Sequence, residues 1–216
     1  IITLGPKQRK IYDHLKENAR IIIEDKKVEF NTKITEIIKL LQVTAGFLKT
    51  EEGDIEEFEN AKMKELLNVL EETEGKVIIW ANWVHSLQMI IDQLKKKYGD
   101  KSVVAIYGAI PGPEREEAVE RFQKDNETRF FVSNPQTGGY GLTLTEANTV
   151  VYFSNNYNLE QRQQSEDRAH RIGQKNKVLY IDLVAEKTID ESVIRALNQK
   201  IKLSAETLGE DVLAYI

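Results

Sequence analysis

KVIIWA (76–81) is a run of β-branched and aromatic residues behind a single charge, with no polar residue to break it. Unbroken apolar runs, as opposed to alternating ones, suit strands covered on both faces, as in a parallel sheet. Four more follow: SVVAIY (102–107), RFFVS (129–133), TVVYFS (149–154) and VLYIDLVA (178–185). Helical spacing fills several of the gaps, in Trp83/Leu87/Ile90/Leu94, in Ala118/Val119/Phe122 and finally in Ile189/Val193/Leu197. Strand alternating with helix predicts an α/β fold, an open parallel sheet flanked by helices with right-handed crossovers. This domain is expected over residues 75–216.

Residues 1–74 read differently, as an N-terminal helical extension. Ile11, Leu15, Ala19 and Ile22 recur at helical spacing, as do Ile34, Ile37, Ile38, Leu41, Ala45 and Leu48, and then Phe58, Met63, Leu66, Leu67 and Leu70. The acidic TEEGD (50–54) separates the second helix from the third. The 216 residues carry 41% hydrophobic and 30% charged side chains, the balance of a globular domain. No apolar stretch has the length of a bilayer span and nothing at the front resembles a signal peptide, so a membrane or secreted protein is not expected. There is no cysteine, hence no disulfide and no thiolate-bound zinc. His14, His85 and His170 lack metal-ligand spacing, so no metal site is expected. The chain opens on Ile1, as a piece of a longer polypeptide would. At a net charge of −5, any contact with nucleic acid needs a local patch.

In open α/β sheets, function gathers beyond the carboxyl ends of the strands. TGGYGLTLTEA (137–147) follows the third strand and sets Gly138, Gly139 and Gly141 among Thr137, Thr143 and Thr145. Such a loop brings backbone N–H groups and hydroxyls close to a phosphate, and it reads equally well as a tight turn. It is not a phosphate loop of the Walker A kind, since no Gly-Lys-Ser/Thr occurs anywhere in the chain. The adjacent acidic pair Asp190-Glu191 opens a helix and makes a poor Walker B motif.

EQRQQSEDRAHRIGQ (160–174) follows the fourth strand. Asn158 and Gln161 suggest a helix start and Gly173 a stop, and between Glu160 and Arg171 the only apolar residue is Ala169. A helix this polar is either laced with salt bridges or faces another domain. Helical geometry would gather Gln161, Gln164, Arg168 and Arg171 on about one quarter of its surface. Guanidinium forks match phosphate oxygens. The alternative pairs Arg168 and Arg171 with Glu166 or Asp167 on a solvated helix. Arg115 likewise could meet a backbone phosphate or pair with Glu116 or Glu117. Trp80 and Trp83 read as core.

SEDRAHRIGQ (165–174) resembles motif VI of the Swi/Snf-type family of superfamily 2 helicase-like ATPases, with Gln164 and Asp167 to Gln174 matching its pattern. GGYGLTLTEA (138–147) resembles motif V and VIIWAN (77–82) motif IV, and the Gly108–Arg115–Phe122 spacing resembles the segment after motif IV. LGPKQRKIYDHL (4–15) is similar to the family's lead-in. The ending Arg-Ile-Gly-Gln contrasts with the Arg-Ile-Gly-Arg of DEAD-type RNA helicases. Tyr157-Asn158-Leu159 departs from the usual Trp-Asn-Pro, Thr143 stands where Asn is common, and Pro135 is unusual.

The resemblance implies a RecA-like C-terminal lobe of an ATP-dependent translocase on double-stranded DNA. Arg168 and Arg171 would be its arginine fingers. Gln164, Asp167, Gly139 and Gly141 would face ATP and the lobe interface. Gly108, Arg115, Thr137, Gly138 and Thr143 would face the DNA backbone. ATP with Mg2+ would be bound mainly by an N-terminal RecA-like lobe, expected in the same polypeptide, and the chain alone should not hydrolyse ATP. A nuclear or cytoplasmic place, wherever DNA is accessible, is implied. The alternative is a RecA-like module that binds nucleic acid or protein without catalysis.

Overall fold

A computed structural model describes residues 1–24, 30–50, 52–108, 110–171, 174 and 177–208. Among the described residues, helices and strands follow in the order α1 (Pro6–Glu24), α2 (Phe30–Thr44), β1 (Phe47–Lys49), β2 (Ile55–Glu57), α3 (Ala61–Glu72), β3 (Lys76–Trp80), α4 (Val84–Tyr98), β4 (Val103–Ile106), α5 (Gly112–Lys124), β5 (Phe130–Ser133), β6 (Ala147–Tyr152), α6 (Leu159–Glu166), β7 (Leu179–Asp182) and α7 (Ile189–Leu208). By compactness the chain divides into Ile1–Val69 with Leu183–Ser192, and Leu70–Asp182 with Val193–Ile216. Where the sequence suggested one boundary after residue 74, this division falls after Val69 and is discontinuous.

The first unit is helical, with one departure from expectation. Leu48 and Phe58 do not extend α2 and α3; Leu48 lies in a β1–β2 hairpin, paired with Glu56, with Glu52 and Gly53 in its turn. The helix stops because Gly46 takes φ +89°, where an added Cβ would sit 2.3 Å from the Asn60 side chain. Asn60 then serves both neighbours. Its Nδ2 donates to the Ala45 carbonyl (2.7 Å), and its Oδ1 accepts from Met63 N (3.0 Å) at the start of α3. Leu4, Tyr12, Leu40, Val43 and Ala185 form the unit's core. Beside them Lys62 Nζ meets Asp190 Oδ2 at 2.6 Å, with both side chains buried. Asp190 also accepts from Thr44 Oγ1 (3.0 Å) and Ala185 N (3.0 Å).

The second unit holds the expected sheet, five strands in the order β4-β5-β3-β6-β7 with every neighbouring pair parallel. β3, β4, β5 and β7 lie within their apolar runs, and β6 overlaps its run but begins two residues earlier, at Ala147. The runs of β3 to β6 are unbroken because both faces are covered, whereas β7, at the sheet edge, leaves Leu179 exposed and carries Asp182 within its run. Ile78, Trp80 and Phe131 pack with Ala118 and Phe122 of α5, while Phe130 meets Tyr98 of α4 at 5.0 Å between ring centres. Leu87, Ile90 and Leu94 of α4 are buried as their spacing required. Burying each such side chain contributes about 1.5–3 kcal/mol relative to leaving it exposed. Trp80 is core, as read.

Candidate functional site

The carboxyl ends of β3, β5 and β6 are tied together by amides. Asn134 Nδ2 donates to the Asn82 carbonyl (2.8 Å), and Asn82 N donates to Ser154 Oγ (3.0 Å). Asn156 Nδ2 donates to Asn82 Oδ1 (3.3 Å) and to Gln161 Oε1 (3.0 Å). Asn158 caps α6 as predicted, its side chain accepting from Gln161 N at 3.1 Å. Short amides suit this edge because each both donates and accepts where strand ladders have ended.

The glycine loop opens as a tight 3₁₀ turn over Pro135–Tyr140, which includes Thr137, Gly138 and Gly139. Asn134 Oδ1 accepts from Gln136 N (2.7 Å), and Thr137 Oγ1 donates back to the Asn134 carbonyl (2.6 Å). Pro135 sits in its first turn, where a missing N–H costs nothing. Gly141 ends the turn in the left-handed region at φ +64°.

Helix α6 ends at Glu166, so Arg168 and Arg171 do not share its face as the 100° spacing had suggested. They ride on successive turns beyond it. The Glu166 carbonyl accepts from both Ala169 N (3.1 Å) and His170 N (3.0 Å), and the Arg168 carbonyl turns aside to accept Leu144 N at 3.0 Å. That tertiary bond ties the turns after α6 to the end of the glycine loop. The expected stop at Gly173 lies outside the described residues. Ala169, the lone apolar residue, is buried in the sheet's core cluster.

The two arginines remain together. Asp167, Arg168, His170 and Arg171 line one open concavity of about 470 Å³. Burial, then the neighbouring Arg171 charge, pull the Arg168 pKa below the ordinary arginine value, with Asp167 opposing. Arg171 is exposed, and its Nη1 donates to Thr143 Oγ1 (3.0 Å) and the Gly141 carbonyl (3.2 Å). Gln174 Nε2 reaches the carbonyls of Thr145 (2.9 Å) and Ala147 (3.0 Å), a place that takes an amide donor. The resembled motifs V and VI are thus one hydrogen-bonded body. Gln164 stands apart, its Nε2 on Glu160 Oε1 at 3.0 Å.

A second groove, of about 760 Å³, is lined by Arg115 and Val119 of α5 and by Gly141, Leu142 and Thr143. Arg115 orders its own loop: Nε donates to the Ile110 carbonyl (2.7 Å) and Nη2 to the Gly108 carbonyl (3.2 Å), where Gly108 has φ +33°. Arg115, Gly141 and Thr143 are therefore brought to one groove, whereas Thr137 and Gly138 lie at the other end of the glycine loop. Among the described residues no cluster of His, Cys, Asp and Glu could hold a metal ion.

Arg162 escaped the sequence reading. Its side chain is only 11% exposed and lies 3.5 Å over the Tyr152 ring centre. It bonds Glu166, Asn155 and Asp182. Burial works against its charge, but Tyr152, Asp182 and Glu166 outweigh it and hold the guanidinium proton more tightly than usual.

The profile described as helicase conserved C-terminal domain matches residues 60–173. An uncharacterised ATP-dependent helicase of Mycoplasma genitalium is 29% identical over 215 residues, 98% of this chain and 20% of its own length. The ISWI chromatin-remodelling complex ATPase ISW2 of Saccharomyces cerevisiae is 34% identical over 150 residues, 68% of this chain and 13% of its own. The chain thus spans a fifth or less of these curated relatives. Among solved structures, the Sulfolobus solfataricus SWI2/SNF2 ATPase core in complex with dsDNA aligns with TM-score 0.75 and 25% identity, over 94% of this chain and 43% of that one. The C-terminal part of the Fun30 ATPase domain shares the fold with TM-score 0.75 at 17% identity, over 91% of this chain and 86% of its own.

Proposed function

The chain belongs to the helicase conserved C-terminal domain family, as a RecA-like lobe of Swi/Snf type, and on that premise we propose that it is the second motor lobe of an ATP-dependent translocase on double-stranded DNA. Residues 75–216 would form the lobe and residues 1–74 its lead-in. The observation that carries the reading is the convergence of Arg168 and Arg171 on one open concavity, with Arg171 hooked to the glycine loop.

Two guanidiniums held against each other ask for an anion, and the burial that lowers the Arg168 pKa sharpens the demand. ATP with Mg2+, held mainly by an N-terminal lobe of the same polypeptide, fits it. Phosphoryl transfer is chiefly electrostatic positioning, and an arginine finger accelerates it by on the order of 10³–10⁵. That is about 4–7 kcal/mol of barrier. Gln164 and Asp167 would border the nucleotide, together with Gly139 and Gly141. Arg115, Thr143, Thr137, Gly138 and Gly108 would meet the DNA backbone, which needs no sequence readout. Because Thr143 and Gly141 are bonded to Arg171, closure on nucleotide would pull on the backbone-binding loop. No helix among the described residues is long and apolar enough to cross a membrane. The protein would work in nucleus or cytoplasm, wherever DNA is accessible.

The chain alone is expected to fold without hydrolysing ATP, since it has no Gly-Lys-Ser/Thr loop. DNA-stimulated phosphate release from the pure chain should be at background, and appear when the preceding lobe is present. Turnover by the chain alone at the rate of the longer protein would overturn the reading.

DNA binding by this lobe should be weak, indifferent to sequence and steeply salt-dependent, because phosphate contacts release counterions and the net charge is −5. Fluorescence anisotropy on two unrelated duplexes measures this. A preference for one duplex that survives high salt would mean base readout and sink the translocase.

A further inference from the structure

Helix α6 is eight residues long, and α6 and the turns after it up to Arg171 have little apolar surface with which to hold the two arginines in place. Something else must fix their position. The Arg162 side chain is the candidate the structure offers. Nη1 and Nη2 grip Asp182 Oδ1 (2.5 Å) and Oδ2 (3.2 Å) as a fork, Nη1 also reaches Asn155 Oδ1 (2.9 Å), and Nε reaches Glu166 Oε1 (2.5 Å). Asn155 closes the triangle by donating to Asp182 Oδ1 at 2.8 Å. Below lies Tyr152, whose hydroxyl bonds Ser165 Oγ (2.7 Å), while Tyr180 Oη donates to the Glu166 carbonyl (3.3 Å).

These bonds run from the last residues of β6 and β7 into the final turn of α6. From there the chain turns straight into Arg168 and Arg171. We propose that Arg162, anchored on Asp182, is the positioning residue that aims Arg168 and Arg171. It touches no reacting atom. A fork is needed because these four acceptors lie around three different guanidinium nitrogens, a spread that the single ammonium nitrogen of a lysine does not match. The effect is large because a misplacement of about 1 Å costs on the order of 10²-fold in rate.

This inference rests on the arginine-finger reading, and its test separates the two. In the two-lobe polypeptide, single-turnover ATP hydrolysis, KM for ATP and melting are measured for Arg162→Lys, Arg162→Met, the exchange Arg162→Asp with Asp182→Arg, and Arg168→Ala. Each Arg162 variant is then combined with Arg168→Ala/Arg171→Ala. Arg162→Lys and Arg162→Met should slow hydrolysis about ten- to a hundredfold in the folded fraction, with KM within about twofold, and the exchanged pair, which keeps the Arg–Asp fork but loses the Glu166 contact, should recover part of the loss. In the background lacking both fingers, the Arg162 changes should cost nothing further. A purely structural role would instead subtract the same factor in both backgrounds, and that result overturns the proposal. So do Arg162 variants with normal rates beside a dead Arg168→Ala. If Arg162→Met does not fold, Arg162→Lys and the exchanged pair decide by the same criteria. Normal hydrolysis in Arg168→Ala would overturn the finger reading and this inference with it.

Discussion

Replacing Arg168 or Arg171 by Ala in the two-lobe polypeptide is expected to slow single-turnover ATP hydrolysis by on the order of 10²-fold or more, with little change in melting. The two side chains reach this outcome differently. Arg171 makes exposed bonds to Gly141 and Thr143, and a typical hydrogen bond contributes about 0.5–1.5 kcal/mol net. The Arg168 backbone carbonyl is bonded to Leu144 N, and alanine keeps that bond. Melting should therefore shift by a few degrees at most, at about 2–4 °C per kcal/mol for a chain of this size. ATP binding should persist, because most nucleotide contacts would lie on the other lobe. Lys at either position should rescue poorly, lacking the planar fork. Normal hydrolysis in both Ala variants, with altered melting, would mean that these arginines only brace the turns.

The largest loss of stability is expected at Asp190, far from that chemistry. Asp190→Ala leaves Lys62 buried without its counter-charge and deprives Thr44 Oγ1 and Ala185 N of their acceptor. Breaking a buried pair from one side costs about 3–5 kcal/mol. At the same conversion the melting temperature should fall by roughly 10 °C. Removing both charges together, as Lys62→Met with Asp190→Asn, should cost less than Asp190→Ala alone, because no bare charge remains. Thermal denaturation of the three proteins settles the point. An Asp190→Ala protein that melts with the parent would show that Lys62 finds water or another partner.

The sheet was legible because burial on both faces leaves an unbroken apolar run, and β3 to β6 carry that mark, while β7, with no fully buried residue, showed only an apolar run interrupted by Asp182. β2 carries no such mark. Its Ile55, Glu56 and Glu57 are all exposed, so no pattern announced the hairpin. The end of α6 was hidden for another reason. Nothing in Asp167-Arg168-Ala169 opposes a helix locally, and the stop comes from Leu144, more than twenty residues away in sequence. Arg162 was not singled out at all, being one charge among many in a polar stretch. The signal that could have found it was Asp182, a lone carboxylate inside the apolar VLYIDLVA, which needs a cation to be tolerated there. Asp190 was weighed only as a motif residue, and its buried partner, Lys62, sits in a segment read as an ordinary helix.

The discontinuous first unit also dictates an order of assembly. Lys62 is made long before Asp190, and Ile2, whose backbone bonds Val184 and Glu186, before either. Every strand of the five-stranded sheet precedes residue 183 in the chain. During synthesis, at about 5–20 residues per second, the sheet can therefore close while the earlier-born unit still waits, its buried lysine without a counter-ion. Residues 1–69 leave the ribosome before the sheet and are locked only after it, so a stall before residue 190 would leave a finished sheet joined to an unfinished helical unit.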